Sequence, residues 1–393
     1  MTPPHLITLI LLTGFSPLSL NMFMPSLGNM ALDLRTDYAT IVWSVSGYLA
    51  ITALLQLLIG PISDKVGRRN ITLWCLAIFI LATVGCAMAP SVETFLVFRM
   101  LQGVSAVGIV VSRAIVRDLY EQDEAASMIG YVTMGMALVP MIAPSIGGAL
   151  DEAFGWRSIF WALAAAGTGL MLLCLTDLGE TAKGGGISFT QQVRDYPELL
   201  TSRRFWGYVF SAAFASGAFF AFLGGAPYVA STVFGLSSFW TGVCLGAPAV
   251  GYATGNYFSA RYSVKKGVNW MIRLGAALAF VGLGVAMILF LAGYSSALLF
   301  FSFCAFVGLG NGLVIPNASA GMLSVRPHLA GSASGLGGAI MIGGGAALSA
   351  LAGSLIQKGG GVIMLLSIMM ASLLFGLLAI LYVIWREKQL DLP

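Results

Sequence analysis

Long apolar stretches separated by short polar segments set the pattern of this chain. Runs long enough to cross a bilayer as a helix of ~20 residues cover 6–27, 38–61, 71–89, 94–116, 125–150, 156–178, 205–228, 238–262, 268–292, 295–323, 327–356 and 361–385. Their apolar residues are continuous rather than alternating, and each run is too long for a barrel strand. The pattern predicts twelve transmembrane helices and an all-α membrane protein. Composition agrees: of 393 residues, 58% are hydrophobic and 9% charged, with 49 glycines, a balance no soluble core needs. The first run has no Lys or Arg before it and no small-residue cleavage site, so it is expected to remain as helix 1.

Charge then orients the helices. Of 20 Lys and Arg residues, fifteen fall on one face if the amino terminus is inside, among them Lys65, Arg68, Arg69, Arg113, Arg117, Arg261, Lys265, Lys266, Arg386 and Lys388. Only Arg35, Arg157 and Lys358 fall on the other face, while Arg99 and Arg273 lie within runs. By the positive-inside rule both termini are expected to be cytoplasmic, and the net charge of +4 is a topology signal rather than a sign of nucleic-acid binding. The five cysteines all lie in apolar runs without paired spacing or nearby histidine, so they read as packing residues. No metal and no cofactor are expected.

The longest polar stretch, 177–204, contains Glu180-Thr181-Ala182-Lys183-Gly184-Gly185-Gly186 and separates two sets of six runs. It predicts an amino-terminal six-helix bundle over 1–178, a cytoplasmic linker over 179–204 and a carboxy-terminal six-helix bundle over 205–393. An offset of about 205 residues places Ser127, Gly130 and Gly148 on Ser332, Gly335 and Gly353, and one of about 196 places Ser63, Lys65 and Arg69 on Ser259, Arg261 and Lys265. Two parallel six-helix repeats are an architecture in which ligands bind near the bilayer midplane.

The segment Gly60-Pro61-Ile62-Ser63-Asp64-Lys65-Val66-Gly67-Arg68-Arg69, between runs 2 and 3, carries the most specific motif. Gly60 and Gly67 suit a tight turn, and Asp64 can pair with a basic group or a helix amino terminus and so latch one conformation. This segment resembles the loop signature of the major facilitator superfamily. Phe98-Arg99-Met100-Leu101-Gln102-Gly103 resembles the same superfamily's second motif, and Gly135, Pro140, Pro144, Gly147 and Gly148 are similar to its antiporter motif of small residues and prolines. Two further segments, Ser112-Arg113-Ala114-Ile115-Val116-Arg117-Asp118-Leu119-Tyr120 and Gly155-Trp156-Arg157-Ser158-Ile159-Phe160, narrow the resemblance to the bicyclomycin/chloramphenicol-resistance type of drug efflux antiporter. The resemblance implies the major facilitator fold, secondary transport by alternating access in the cell inner membrane and, through Gly60, Asp64, Gly67, Arg68, Arg69, Arg113 and Arg117, a conformational latch.

Candidate substrate-binding residues are Asn21 and Met24 in run 1, Arg99 and Gln102 in run 4, Phe219 and Phe222 in run 7, and Asn311 in run 10. Aromatic and Met-lined cavities with few polar anchors suit amphipathic organic molecules. A buried Arg costs about 2.5–3.5 kcal/mol on insertion scales, so Arg99 should face a cavity or a polar partner, backbone carbonyls included. Asn21 departs from the family pattern, which carries Asp at this point, and an amide cannot titrate. Another group titrates, the substrate carries the charge, or transport is uncoupled.

The expected function is export of small amphipathic or drug-like molecules. Import or facilitated passage of a small metabolite is the alternative in the same fold, and a non-transporting receptor or enzyme the alternative from another class. Clustered His, Cys or carboxylates within the runs, which an enzyme would need, are missing from the sequence, as is a nucleotide-binding Gly-rich loop. The expected partners are a small-molecule substrate, the lipid bilayer and, as a candidate coupling ion, the proton; no nucleic acid is expected, and the chain is expected to be a monomer.

Overall fold

A computed structural model describes residues 4–120, 122–182, 197–326 and 329–389, with the side chains of 122–127, 130, 133–138, 330, 331 and 360 outside that description. Among the described residues the secondary structure is helical, with no strand. Helix α1 runs over Leu6–Asn21 and continues through a short turn, Met24–Ser26, into Leu27–Asp33. Helices α2 (Tyr38–Val66) and α3 (Arg68–Met88) follow, then α4, which is Val92–Leu101 joined by a tight 3₁₀ turn, Gln102–Ala106, to Val107–Leu119. Next come α5 (Gln122–Phe154) and α6 (Arg157–Asp177). The second half consists of α7 (Arg203–Tyr228), α8 (Ser238–Leu245 and Ala247–Lys266), α9 (Val268–Leu291), α10 (Ala297–Val325), α11 (Ala330–Leu355) and α12 (Gly361–Gln389). Each occupies the place of one predicted apolar run. Ten are long and apolar enough to cross a membrane; the other two are α8, which is interrupted at Gly246, and α5, part of which lies outside the described side chains.

Polar caps begin several of these helices. Ser91, Ser202 and Ser296 each accept the backbone N–H three residues on, at the starts of α4, α7 and α10, satisfying one of the donors a helix start leaves free. Asp37 does the same at α2, where the Thr40 N–H donates at 2.7 Å, and the Thr40 hydroxyl together with this N–H holds the Asp37 carboxyl below its ordinary value.

The chain divides into two compact units, residues 1–191 with 237–243, and 192–236 with 244–393. The core of the first includes Leu12, Phe15, Phe79, Val111 and Ile115, with the Phe15 and Phe79 rings edge to face at 4.8 Å. In the second, Phe205, Val209, Ile272, Val314 and Ile380 belong to the core. The middle of the expected linker, 183–196, lies outside the described residues.

Repeat symmetry is visible at the second turn of each half, in a register the sequence comparison misses. Helix α2 ends at Gly67 (φ 100°) and α8 at Gly267 (φ 83°), and in each the glycine N–H donates to a serine carbonyl, of Ser63 and Ser263. The matching positions are therefore about 200 residues apart, and the offset of 196 is one helical turn out of register. On an amphipathic helix a slip of one turn keeps the same face, which is why Ser, Lys and Arg still matched.

Candidate functional site

Two polar clusters stand out in the first unit, one inside the bundle and one at the α2–α3 turn. The inner one is built on Arg99, whose side chain is 0% exposed. The 3₁₀ turn in α4 brings Gln102 to the same side, and Arg99 Nη1 donates to Gln102 Oε1 at 2.6 Å and to Ser19 Oγ at 3.0 Å. Nε donates to the Ser44 carbonyl and Nη2 to the Ser19 carbonyl, each at 3.1 Å. Gln102 Nε2 then donates to Thr83 Oγ1 at 2.6 Å. The guanidinium lies between the Phe23 and Tyr48 rings, 4.3 and 4.2 Å from their centroids. Tyr48 is held in turn by Ser16 Oγ at 2.9 Å and Ser105 Oγ at 2.7 Å. No carboxylate pairs with Arg99 among the described residues. Carbonyl dipoles and two ring faces hold the charge, so Arg99 ties α1, α2 and α4 together.

Asn21 is 3% exposed, and its Nδ2 donates to the Pro17 carbonyl at 2.8 Å, one turn back along α1. Met24 is fully buried in the turn that continues α1. In the second unit Phe222 is also fully buried, stacked against Phe219 at 6.4 Å and Phe300 at 6.5 Å, while Phe219 is half-buried. Asn311 is buried with its Oδ1 unpartnered. The candidate substrate residues thus fall as Asn21, Met24, Arg99 and Gln102 in one unit and Phe219, Phe222 and Asn311 in the other.

The second cluster is centred on Arg68. It pairs with Asp64 one turn earlier, donates to Ser63 Oγ, and its Nε meets Asp118 Oδ2 at the end of α4 at 3.1 Å. Glu180, just past α6, accepts the Arg68 N–H at 2.8 Å and the Arg69 N–H at 3.3 Å, so a carboxylate caps the amino terminus of α3. That carboxylate sits where a side chain on Gly67 would point: a Cβ there would overlap Glu180 Oε2. Arg69 donates to the carbonyls of Leu178 at 2.9 Å and Leu175 at 3.1 Å, and Thr181 Oγ1 to Asp118 Oδ2 at 3.3 Å. Several helix ends meet in one charged hub.

Not every latch residue lies where the loop reading puts it. Gly60 is inside α2, where an added Cβ would meet only Val110 Cγ1, at 4.0 Å, so Gly67 alone makes the turn. Arg113 and Arg117 are exposed on α4, and the charged group α4 supplies to Arg68 is Asp118. On α5, Gly147 abuts the Met22 carbonyl of α1, and Gly148 abuts the Ser238 carbonyl within 237–243. Pro140 and Pro144 lie inside the helix, and the side-chain position of Gly135 is outside the described residues. Sequence reading missed Ser63 and Glu180 as members of the hub. Ser63 sits inside the quoted motif, whereas Glu180 is 112 residues from Arg68 and has no local signal.

The fold agrees with comparisons to known proteins. An uncharacterized major-facilitator-type transporter, YdgK, of Bacillus subtilis is 30% identical over 349 residues, 87% of each chain. A bicyclomycin resistance protein homolog of Haemophilus influenzae is 28% identical, covering 90% of this chain and 88% of its own. Multidrug resistance protein D of Escherichia coli is 27% identical over 94% and 93%. In fold, the chain matches a bacterial homolog of the human lysosomal transporter Spinster with a TM-score of 0.74 at 17% identity, covering 98% of this chain and 96% of that one. The profile of the Major Facilitator Superfamily matches residues 9–350, and the chain belongs to that superfamily of multi-pass membrane transporters.

Proposed function

We propose that this transporter exports small amphipathic or drug-like molecules across the cell inner membrane by alternating access, with both termini cytoplasmic. The observation that carries the reading is the hub at Arg68. Asp64, Asp118 and Glu180 fix the ends of α2, α3, α4 and α6 in one arrangement, and a cycle between two arrangements must loosen it. The substrate class is supported by relatives named for bicyclomycin, chloramphenicol and multidrug resistance, and the asymmetry of basic residues supports the orientation.

Antiport is the mode the family resemblance implies, but the Leu6–Asn21 part of α1 holds no group that titrates. Every carboxylate of the helical spans lies within about one turn of a helix end, and the helix 1 position holds the Asn21 amide. That same amide favours a second reading, an uncoupled facilitator for a small neutral metabolite.

Proteoliposomes challenged with a panel of lipophilic antibiotics and small metabolites, with and without an imposed pH gradient, separate the two. Export predicts directional flux of at least one lipophilic compound; facilitation predicts equal flux in both directions. Asp64→Asn should remove most of the flux while ligand binding persists, because it weakens an interaction made in one state only. Flux of no compound, or full flux in the variant, would refute the reading.

A further inference from the structure

The α8–α9 turn repeats the geometry of the α2–α3 turn but not its chemistry. At the spacing fixed by Gly67 and Gly267, Asp64 corresponds to Val264, which is 96% exposed, and Arg68 and Arg69 correspond to Val268 and Asn269. The Asp64 carboxylate that pairs with Arg68 in the first turn has no counterpart here. Four cations remain: Arg261, Lys265 and Lys266 in the last turns of α8, and Arg273 in the second turn of α9, all exposed and without an ion pair among the described residues. Lys266 lies over the Trp270 ring at 5.8 Å.

On the buried side of this turn Asn269 donates to the Glu387 carboxylate of α12, while its exposed side is aromatic. Tyr257 and Phe258, 62% and 43% exposed, lie on the helix face that leads to Arg261 and Lys265, and Phe258 stacks with Tyr262 at 6.2 Å. Gly251, Gly255 and Ser259 are buried, the two glycines against the backbone of α10 and Ser259 by a hydrogen bond from Asn317 of α10 at 2.7 Å, which leaves Tyr257, Phe258 and Arg261 exposed. The outward face of α8 therefore reads as aromatic side chains followed by cations, the order of a membrane interface from hydrocarbon to headgroup. Arg273 makes the stronger case. It is an exposed cation inside an apolar span with no ion pair among the described residues, a costly placement unless its guanidinium reaches an anion at the interface.

We propose that the α8–α9 turn binds anionic phospholipid headgroups, with Arg261, Lys265, Lys266 and Arg273 holding the phosphates and Tyr257, Phe258 and Tyr262 lying along the acyl chains. Charge complementarity selects the occupant: four cations without ion pairs among the described residues attract an anionic leaflet more strongly than a zwitterionic one, whose phosphates are offset by a cation in the same headgroup.

Native mass spectrometry of the delipidated full-length protein, titrated with phosphatidylglycerol and with phosphatidylcholine, tests this. The wild type should retain phosphatidylglycerol about tenfold more strongly, and salt near 1 M, where the screening length falls to ~3 Å, should erase most of that preference. R261Q/K265Q/K266Q/R273Q should bring retention down to the phosphatidylcholine level, while R35Q/K358Q, exposed cations after α1 and α11, should leave it unchanged. If the fourfold variant does not fold, R261Q/K265Q and K266Q/R273Q are read separately, each lowering the preference. A wild type with no preference, or a preference surviving in both pairs, overturns the proposal.

Discussion

Arg99 illustrates what a single residue type forces on a membrane fold. Burial of its charge is offset by four charge-assisted hydrogen bonds, worth about 1.5–3 kcal/mol each in general, and by contact with two ring faces. Its hydrogen bonds go to α1, α2 and α4, so it joins these helices. Arg99→Gln should therefore lower the melting temperature in detergent by several degrees, since each buried acceptor left without a donor costs ~1–3 kcal/mol. Ser19→Ala, which removes one acceptor and keeps the Ser19 carbonyl, should have a much smaller effect. An Arg99→Gln protein as stable as the wild type, with altered substrate choice, would instead place the guanidinium against the substrate. That an Arg in an apolar run needs a polar partner was legible from sequence. That the partners are the carbonyls of Ser19 and Ser44 was not, because every residue carries a carbonyl and none advertises which are free.

At the scale of elements, the apolar runs marked the helices well, since a span must satisfy its own backbone groups within the bilayer. Contacts between helices were less legible. The glycine-rich stretch of α5 drew attention, and Gly147 does meet α1. An equally close approach joins Gly251 and Gly255 of α8 to α10, where Gly308 and Gly312 meet the α8 backbone in return, and has no sequence signature, because widely spaced glycines in a chain with 49 of them carry little signal. The two turn glycines allow a controlled comparison. Both combine positive φ with ψ near 150°, a region essentially open to glycine alone, so alanine strains the backbone by about 1–3 kcal/mol at either. At Gly267 a Cβ meets nothing within 4 Å, whereas at Gly67 it displaces the Glu180 carboxylate from the start of α3. Gly67→Ala should lower the melting temperature clearly more than Gly267→Ala does and should depress transport, while transport by Gly267→Ala stays near wild type. Equal effects of the two would show that the Glu180 cap contributes nothing beyond the shape of the turn.

Across the whole molecule, the placement of carboxylates bears on how transport is driven. The chain puts its acids at helix ends, where they cap α2 and α3, pair with Arg68, or join α12 to α7 through Glu387 and Arg204 at 2.5 Å. Within the bilayer-spanning part of α1 stands Asn21, whose Nδ2 donates to the Pro17 carbonyl. Wild-type flux should accordingly vary little with pH between about 6 and 8 beyond the substrate's own titration, because an amide does not ionise there. Asn21→Asp changes this in a defined way. A protonated carboxyl can still donate to the Pro17 carbonyl, but an ionised one sets two acceptors against each other in a buried site. Proton uptake then becomes linked to the local geometry of α1, and flux should respond to an imposed pH gradient in the variant alone. The measurement is substrate flux in proteoliposomes at several pH values for both proteins. Steep pH dependence in the wild type would mean that another group carries the proton, and an unresponsive variant would mean that position 21 is not part of the transport path.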